Sequence, residues 1–184
     1  MLNRTIAELR NTKLYPFALS DEEGEATLYV PDDHSMGSLA DWTKSRRSGV
    51  LSRIFGFGRT HTLNCRKRRM DELISEEHLP LPNFIKCDVE GAELRVFKGG
   101  RNTLNRPDGP IILFEAGVES ASGFDLKFSE AADFLTSLSQ PGYQFLEVLE
   151  GGALRAVRPA NLKLPNQNIV TVPQAKTRFV LNKT

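Results

Sequence analysis

Residues 84–117 restrict the architecture of this chain more than any other segment. FIKCDV (Phe84–Val89) is a short apolar run after the prolines of LPLPN, which prevent a helix there, and IILFEAG (Ile111–Gly117) is an unbroken apolar strand. IILFEAG does not alternate apolar with polar residues, which is typical of a strand covered on both faces, as in a parallel sheet. Between them, EGAELRVFKGGRNTL has apolar residues at helical spacing. We therefore predict a strand–helix–strand unit with a right-handed crossover.

The other segments predict further elements around this unit. LYPFALS and EATLYV, joined by the turn signal DEEG, are predicted to form a hairpin. The remaining predictions are helices at 2–10, from Met70 and at 128–138, a hairpin turning at Gly151–Gly152, and a last strand NIVTVP. Together they predict one domain over residues 1–184 with an α/β fold, in which a mostly parallel sheet closes with antiparallel strands.

Length, hydropathy and cysteine content exclude several protein classes. The chain has 184 residues with 40% hydrophobic content, which fits a single globular domain. No apolar run approaches the roughly 20 residues that a transmembrane helix needs, and the first residues lack the apolar core of a signal peptide. Cys65 and Cys87 have no metal-site spacing, so we expect no metal and a cytoplasmic location.

A basic stretch interrupts the predicted strands. Nine basic residues and no acidic one lie between Lys44 and Arg69, inside a segment, 31–69, that is predicted to be a long loop or insertion. Such a stretch is either a solvated loop or a surface for an anionic substrate, a membrane or a nucleic acid. Few aromatic residues accompany the basic ones, so no nucleic acid partner is expected.

Three carboxylates stand where the two apolar strands end. Asp88 and Glu90 end the first strand, and Glu115 is near the end of the second. Open α/β sheets bind ligands beyond the carboxyl ends of their strands, so these residues are candidate site residues. Structural roles are equally compatible with the pattern: Asp88 as a helix cap, and Glu90 in a first helical turn, where its charge favours the helix dipole.

The same segment resembles the signature of the FkbM methyltransferase family. IKCDVEGAELRVFKGG followed by IILFEAG carries the Asp-Val-Glu-Gly motif, a following Lys-Gly, and a strand ending in Glu. LYPFALSDEEGEATLYV, TLNCRKRRMDELI, GGALRAVRP and NIVTVP resemble other parts of that family, so the resemblance covers almost the whole chain.

The resemblance implies a Rossmann-like class I methyltransferase that uses S-adenosylmethionine. The acceptor would be a hydroxyl of a sugar, a polyketide or another metabolite, that is, a small molecule or a glycan. Asp88 and Glu90 would lie beside the methyl-transfer centre, and one of them would accept the hydroxyl proton. Glu115 would be a third catalytic candidate. The residues implied to contact the cofactor are Ala18, Leu19, Ser20 and Asp88.

The sequence departs from the family pattern near its beginning. The family's glycine-rich turn after its first strand and the acidic residue ending its second strand are not found, and Gly56-Phe57-Gly58 lies in the basic stretch. We therefore expect an N-terminally truncated domain in which FIKCDV has an uncovered edge. Either the first strand of this chain pairs with it, or self-association or a partner chain covers it, or the protein is longer. The alternative function is a degenerate module that binds an anionic partner through Lys44–Arg69.

Overall fold

The computed structural model describes residues 9, 11–31, 60–116, 129–159 and 167–178. The strands in these residues are β1 (Phe17–Leu19), β2 (Gly24–Pro31), β3 (Thr60–Arg68), β4 (Phe84–Cys87), β5 (Ile111–Ala116), β6 (Gln144–Val148), β7 (Leu154–Val157) and β8 (Gln167–Val172). The helices are α1 (Met70–Glu76), α2 (Glu93–Gly99), α3 (Arg101–Leu104) and α4 (Glu130–Ser137), with 3-10 turns at Glu150–Gly152 and Gln174–Lys176. None of these helices has the length and apolar character needed to cross a membrane.

The five-stranded sheet contains the predicted strand–helix–strand unit. Its strand order is β4-β5-β8-β6-β7, and β4 and β5 pair in parallel, with Phe84 opposite Ile111 and Cys87 opposite Phe114. The predicted α/β class is confirmed. The prediction of a mostly parallel sheet is wrong, because β8 runs back between β5 and β6 and pairs antiparallel with both. β4, β5 and β6 therefore share a direction, although only two of them are neighbours.

β1, β2 and β3 form a separate three-stranded sheet with β3 in the middle. β3 pairs in parallel with β1 and antiparallel with β2, so the predicted β1–β2 hairpin is wrong. The loop predicted over 31–69 is also wrong at its end. Residues 60–68 are strand because a polar segment pairs its backbone with the whole of β2. Residues 32–59, with most of the predicted basic loop, lie outside the described residues.

Most of the basic residues at the end of β3 form ion pairs. Arg68 is buried, and its guanidinium lies 2.6 Å from Glu76 Oε2 and 2.8 Å from Glu23 Oε2. The neighbouring cations also have acidic partners: Lys67 with Glu22, and Arg69 with Glu72. These contacts join β3 to α1 and to the segment before β2. Lys67–Arg69 are thus engaged within the fold, which does not favour this part of the chain as a surface for an anionic partner.

The main core lies between the helices and one face of the five-stranded sheet. Phe97 of α2 packs edge-on against Phe114 of β5, with ring centroids 5.5 Å apart, and both side chains are buried. Leu135 of α4 and Ile169 of β8 are buried in the same cluster. The hydrophobic effect over this interface fixes α2 and α4 on one face of the sheet.

β4 lies at the edge of its sheet. Within the described residues it pairs with β5 alone, and β1 pairs with β3 in the other sheet. The first predicted possibility, pairing of β1 with β4, is therefore wrong. Phe84 at the start of β4 is 55% exposed. The other predicted possibilities, a partner or further chain along this edge, stay predictions.

The junction of α2 and α3 connects the two sheets. Gly99 lies so close to the end of β1 that a Cβ there would stand 1.9 Å from the carbonyl oxygen of Ser20. Gly100 faces the side chain of Met70 in α1. Asp71 of α1 then accepts hydrogen bonds at 2.8 Å from the backbone N–H groups of Asn102 and Thr103 in α3. The paired glycines allow this close approach of backbone and side chains.

Candidate functional site

A tight loop between β4 and α2 forms the centre of the candidate site. Glu90 has φ 51° and Gly91 has φ 97°, so two successive residues adopt left-handed conformations. A residue with a side chain rarely adopts this region, and such strain costs on the order of 1–3 kcal/mol. Strained residues of this kind concentrate at functional sites, where the surrounding structure holds them in place.

The structure brings the three predicted carboxylates together. The β4–β5 register pairs Cys87 with Phe114, so Asp88 and Glu115, the next residues, follow at the same sheet edge. Burial raises the pKa of Glu90, and the nearby charges of Glu115 and Asp88 raise it further. Asp88 is exposed and forms an ion pair with Lys86 at 2.8 Å, which raises the pKa of the Lys86 ammonium.

The two structural roles predicted for Asp88 and Glu90 are wrong. The helix begins only at Glu93, with Ala92 as its N-cap, so Glu90 precedes the first turn. No side chain caps this helix, and the Asp88 carboxylate is directed to Lys86 instead. The extra turn at Glu90–Gly91 accounts for the difference, since it separates the strand end from the helix by several residues.

Glu93 is a site residue that the sequence analysis did not single out. It is buried, and its Oε1 accepts hydrogen bonds of 3.3 Å from the N–H groups of Val89 and Gly91. Glu93 therefore fixes the backbone on both sides of Glu90. Burial is the main cause of its raised pKa, and the charge of Glu115 adds to it. The sequence feature that could have identified Glu93 is its position, three residues after Glu90 and at the start of the apolar helix.

Replacing Glu93 by Gln should stabilise the protein at neutral pH. The raised pKa means that the folded state binds the Glu93 proton more tightly than the unfolded state. Stability contributed by Glu93 is thus lost as pH rises from the ordinary glutamate range through the folded pKa. A glutamine keeps an oxygen for the two loop N–H groups and does not ionise. Thermal denaturation at pH 4 and pH 8 should show the variant gaining stability, relative to the parent chain, only at the higher pH. An equal difference at both pH values would contradict this.

Three of the four residues implied to contact the cofactor, all except Asp88, lie at the other end of α2. Ala18 and Leu19 are half-buried in β1, and Ser20 is buried, with its N–H donating to the Arg68 carbonyl at 2.9 Å. Ser20 Oγ donates to Asp21 Oδ1 at 3.2 Å. Ser20 adjoins the last residue of α2, whereas the carboxylates surround its first. The seven residues of α2 separate the two groups by roughly 10 Å.

The electrostatics of the carboxylate group favour a positively charged ligand. The charge of Glu115 contributes to the raised pKa of both Glu90 and Glu93, and Lys86 offsets the charge of Asp88. A cation brought to this group would relieve the repulsion among the carboxylates. A carboxylate with a raised pKa is also suited to accept a proton from a hydroxyl near neutral pH.

Comparison with known proteins identifies the family of this chain. The family model described as "Methyltransferase FkbM domain" matches residues 3–145, which is most of the chain. The chain belongs to the FkbM methyltransferase family. The resemblance predicted from IKCDVEGAELRVFKGG and IILFEAG is therefore confirmed. The match includes all four carboxylates and β1 of this FkbM domain, and it ends within β6.

A curated relative is similar over a short segment. The chain is 45% identical over 49 residues to the hexuronic acid methyltransferase AglP of Haloferax volcanii. The matched segment is 27% of this chain and spans 20% of the length of AglP. No solved structure matches the chain significantly.

Proposed function

We propose that this FkbM protein transfers a methyl group from S-adenosylmethionine to a hydroxyl of a sugar. Family membership supports the reaction class, and the group of Asp88, Glu90 and Glu115 supports the site. The similarity to AglP, a hexuronic acid methyltransferase, supports a sugar as the acceptor. The observation that carries the proposal is the half-buried Glu90, held in a left-handed conformation beside two other carboxylates.

The described residues fit the proposed cofactor in charge and in place. S-adenosylmethionine carries a sulfonium and an ammonium group, and both are cations that the carboxylate group would attract. β4, β5 and β6 run in one direction, so their carboxyl ends meet at the edge where open α/β sheets bind ligands. Asp88 would contact the cofactor there. Ala18, Leu19 and Ser20 are the residues that the family resemblance implies for its adenine.

In the proposed mechanism the chain orients the acceptor and takes up its proton. The bound cofactor supplies a methyl group activated by the positive sulfur. Glu90 accepts the proton of the acceptor hydroxyl as its oxygen attacks, and its raised pKa makes it a better base than an ordinary glutamate at neutral pH. Glu93 acts as a positioning residue because it holds the N–H groups on both sides of Glu90. Correct alignment of the two reacting centres supplies much of the remaining acceleration.

Titration with S-adenosylhomocysteine by calorimetry tests the proposal. We expect micromolar binding by the folded chain, and a loss of about tenfold or more for Asp88→Asn, which removes a charge from the site. Glu150→Gln, in an exposed 3-10 turn, is a matched control that should bind as the parent does. A chain that circular dichroism shows to be folded but that does not bind would reject the proposal and favour the degenerate module.

A further inference from the structure

A buried amide oxygen at the same end of the five-stranded sheet has no hydrogen-bond partner among the described residues. Gln167, the first residue of β8, is only 9% exposed. Its Nε2 donates to Glu147 Oε1 at 2.8 Å, whereas its Oε1 is left without a donor. Rotating the amide would bring Oε1 against the Glu147 carboxylate, so the orientation is determined. This oxygen has almost no accessible surface, so the Gln167 side chain must shift for a ligand to reach it. Leaving a buried acceptor unpaired is costly, so a donor that reaches it would be stabilised there.

A guanidinium lies beside this amide. Arg155 of β7 donates to Glu147 Oε2 from Nε at 3.0 Å and from Nη2 at 2.5 Å. Both bonds end on one oxygen, and among the described residues Nη1 forms no hydrogen bond of its own. The side chain of Arg155 is 59% exposed, although the carboxylate that holds it is 9% exposed. The Arg155 and Gln167 bonds lower the pKa of Glu147, which keeps this carboxylate ionised.

The three side chains share one face of the sheet. Glu147 is opposite Arg155 on β7 and opposite Ile169 on β8, and Gln167 lies two residues before Ile169. Gln167 is also opposite Ala116, the residue after Glu115. Glu115 therefore points to the other face at the same edge. β5 and β6 lie two strand spacings apart, roughly 10 Å. An acceptor that contacts both the Glu115 carboxylate and the side chains of Arg155 and Gln167 would therefore extend across the carboxyl ends of these strands.

We propose that Arg155, Glu147 and Gln167 form a binding site for an acidic sugar of the methyl acceptor. Arg155 receives the sugar carboxylate through its free N–H groups, and Gln167 Oε1 accepts a hydrogen bond from a neighbouring hydroxyl. Glu147 is a positioning residue that holds both partners. The site specifies the class of substrate for the proposed function. For the reaction itself, this proposal rests on that function.

The chemistry of the cluster selects this class of ligand. A guanidinium binds a carboxylate more strongly than a neutral hydroxyl, because the hydrogen bonds are charge-assisted. The unpaired amide oxygen next to it requires a donor, which a carboxylate lacks and a ring hydroxyl supplies. A uronate offers both groups on one ring. All three residues lie beyond residue 145, where the match to the shared FkbM domain ends, so they can differ without altering that domain.

Binding of D-glucuronate and D-glucose to the full chain, each measured by calorimetry, tests the site. We expect glucuronate to bind more tightly than glucose. Arg155→Gln should weaken glucuronate binding roughly ten- to a hundredfold and leave glucose and S-adenosylhomocysteine binding unchanged. Arg155→Lys should recover part of the loss, since it restores the charge without the planar guanidinium. Arg178→Gln, which removes another exposed arginine, should change none of these values.

If the Arg155→Gln variant does not fold, the double variant Arg155→Gln and Glu147→Gln replaces it in the same measurements. The double variant leaves no unpaired buried carboxylate. Equal affinity for glucuronate and glucose, or unchanged glucuronate binding in the folded Arg155→Gln variant, would overturn the proposal. The cluster would then be a cross-strand ion pair and nothing more. Arg155-dependent glucuronate binding without any binding of S-adenosylhomocysteine would support the sugar site and reject the proposed methyl transfer.

Discussion

Gly99→Ala is expected to lower the free energy of unfolding by about 3 kcal/mol or more, or to prevent folding. The added methyl group would stand 1.9 Å from the Ser20 carbonyl oxygen and 2.9 Å from its carbon. Those atoms are backbone, and Ser20 N–H is bonded to Arg68, so neither β1 nor its neighbour β3 can yield easily. The clash would separate α2 from β1. Urea denaturation followed by circular dichroism would measure the loss.

Gly100→Ala is the matched control for this prediction. Its Cβ would meet Met70 Sδ at 2.9 Å, but a thioether side chain can rotate away. Alanine also favours a helical segment over glycine by about 1 kcal/mol, which offsets part of the crowding. We therefore expect a change in stability much smaller than that of Gly99→Ala. Equal losses for the two variants would show that general helix crowding, and not the approach of Ser20, limits residue 99.

The glycine pair shows what sequence patterns can and cannot predict. In the sequence, Gly99 and Gly100 indicate only a weak end of the predicted helix. Their reason is tertiary: one accommodates the backbone of Ser20 and the other the side chain of Met70. Ser20 is distant along the chain, so no local pattern could reveal the contact. The helix itself was predictable because its apolar spacing is local.

Strand pairing follows the same rule. β4 and β5 were predictable as a parallel pair from the short apolar run of β4, the unbroken apolar run of β5 and the helix between them. β3 was not, because THTLNCRKR is polar and its pairing with β2 spans residues 32–59. The insertion of β8 between β5 and β6 is likewise a long-range pairing. It was this pairing that made the sheet mostly antiparallel.

The sequence predicted which residues belong to the candidate site better than it predicted their geometry. The predicted strand ends correctly placed Asp88, Glu90 and Glu115 close together at the carboxyl ends of β4 and β5. The left-handed conformation of Glu90 could not be foreseen, because only a glycine at the next position hinted at a turn. Glu93 resembled an ordinary first-turn glutamate, and its burial depends on how the loop folds back over it.

Glu90→Gln is expected to slow methyl transfer by about 10²–10⁴-fold, because it removes the proposed proton acceptor. Glutamine preserves the size of the side chain, so the loop held by Glu93 should keep its shape. In the parent chain, the rate should rise with pH until Glu90 has lost its proton. Its raised pKa places that rise above the ordinary glutamate range. The variant should lack this rise. The assay follows radiolabelled methyl groups from S-adenosylmethionine onto a panel of free hexoses and hexuronates.

Glu90→Gly separates the chemistry of the carboxylate from the strain of its backbone. Glycine adopts φ 51° without the cost that glutamate bears, so this variant should be at least as well folded at the loop. It should nevertheless be as slow as Glu90→Gln, because both lack the base. Glu150→Gln should retain the parent rate, as residue 150 is exposed in a turn between β6 and β7. A Glu90→Gln variant with the parent rate and pH profile would exclude Glu90 as the base and leave Asp88 and Glu115 as the candidates.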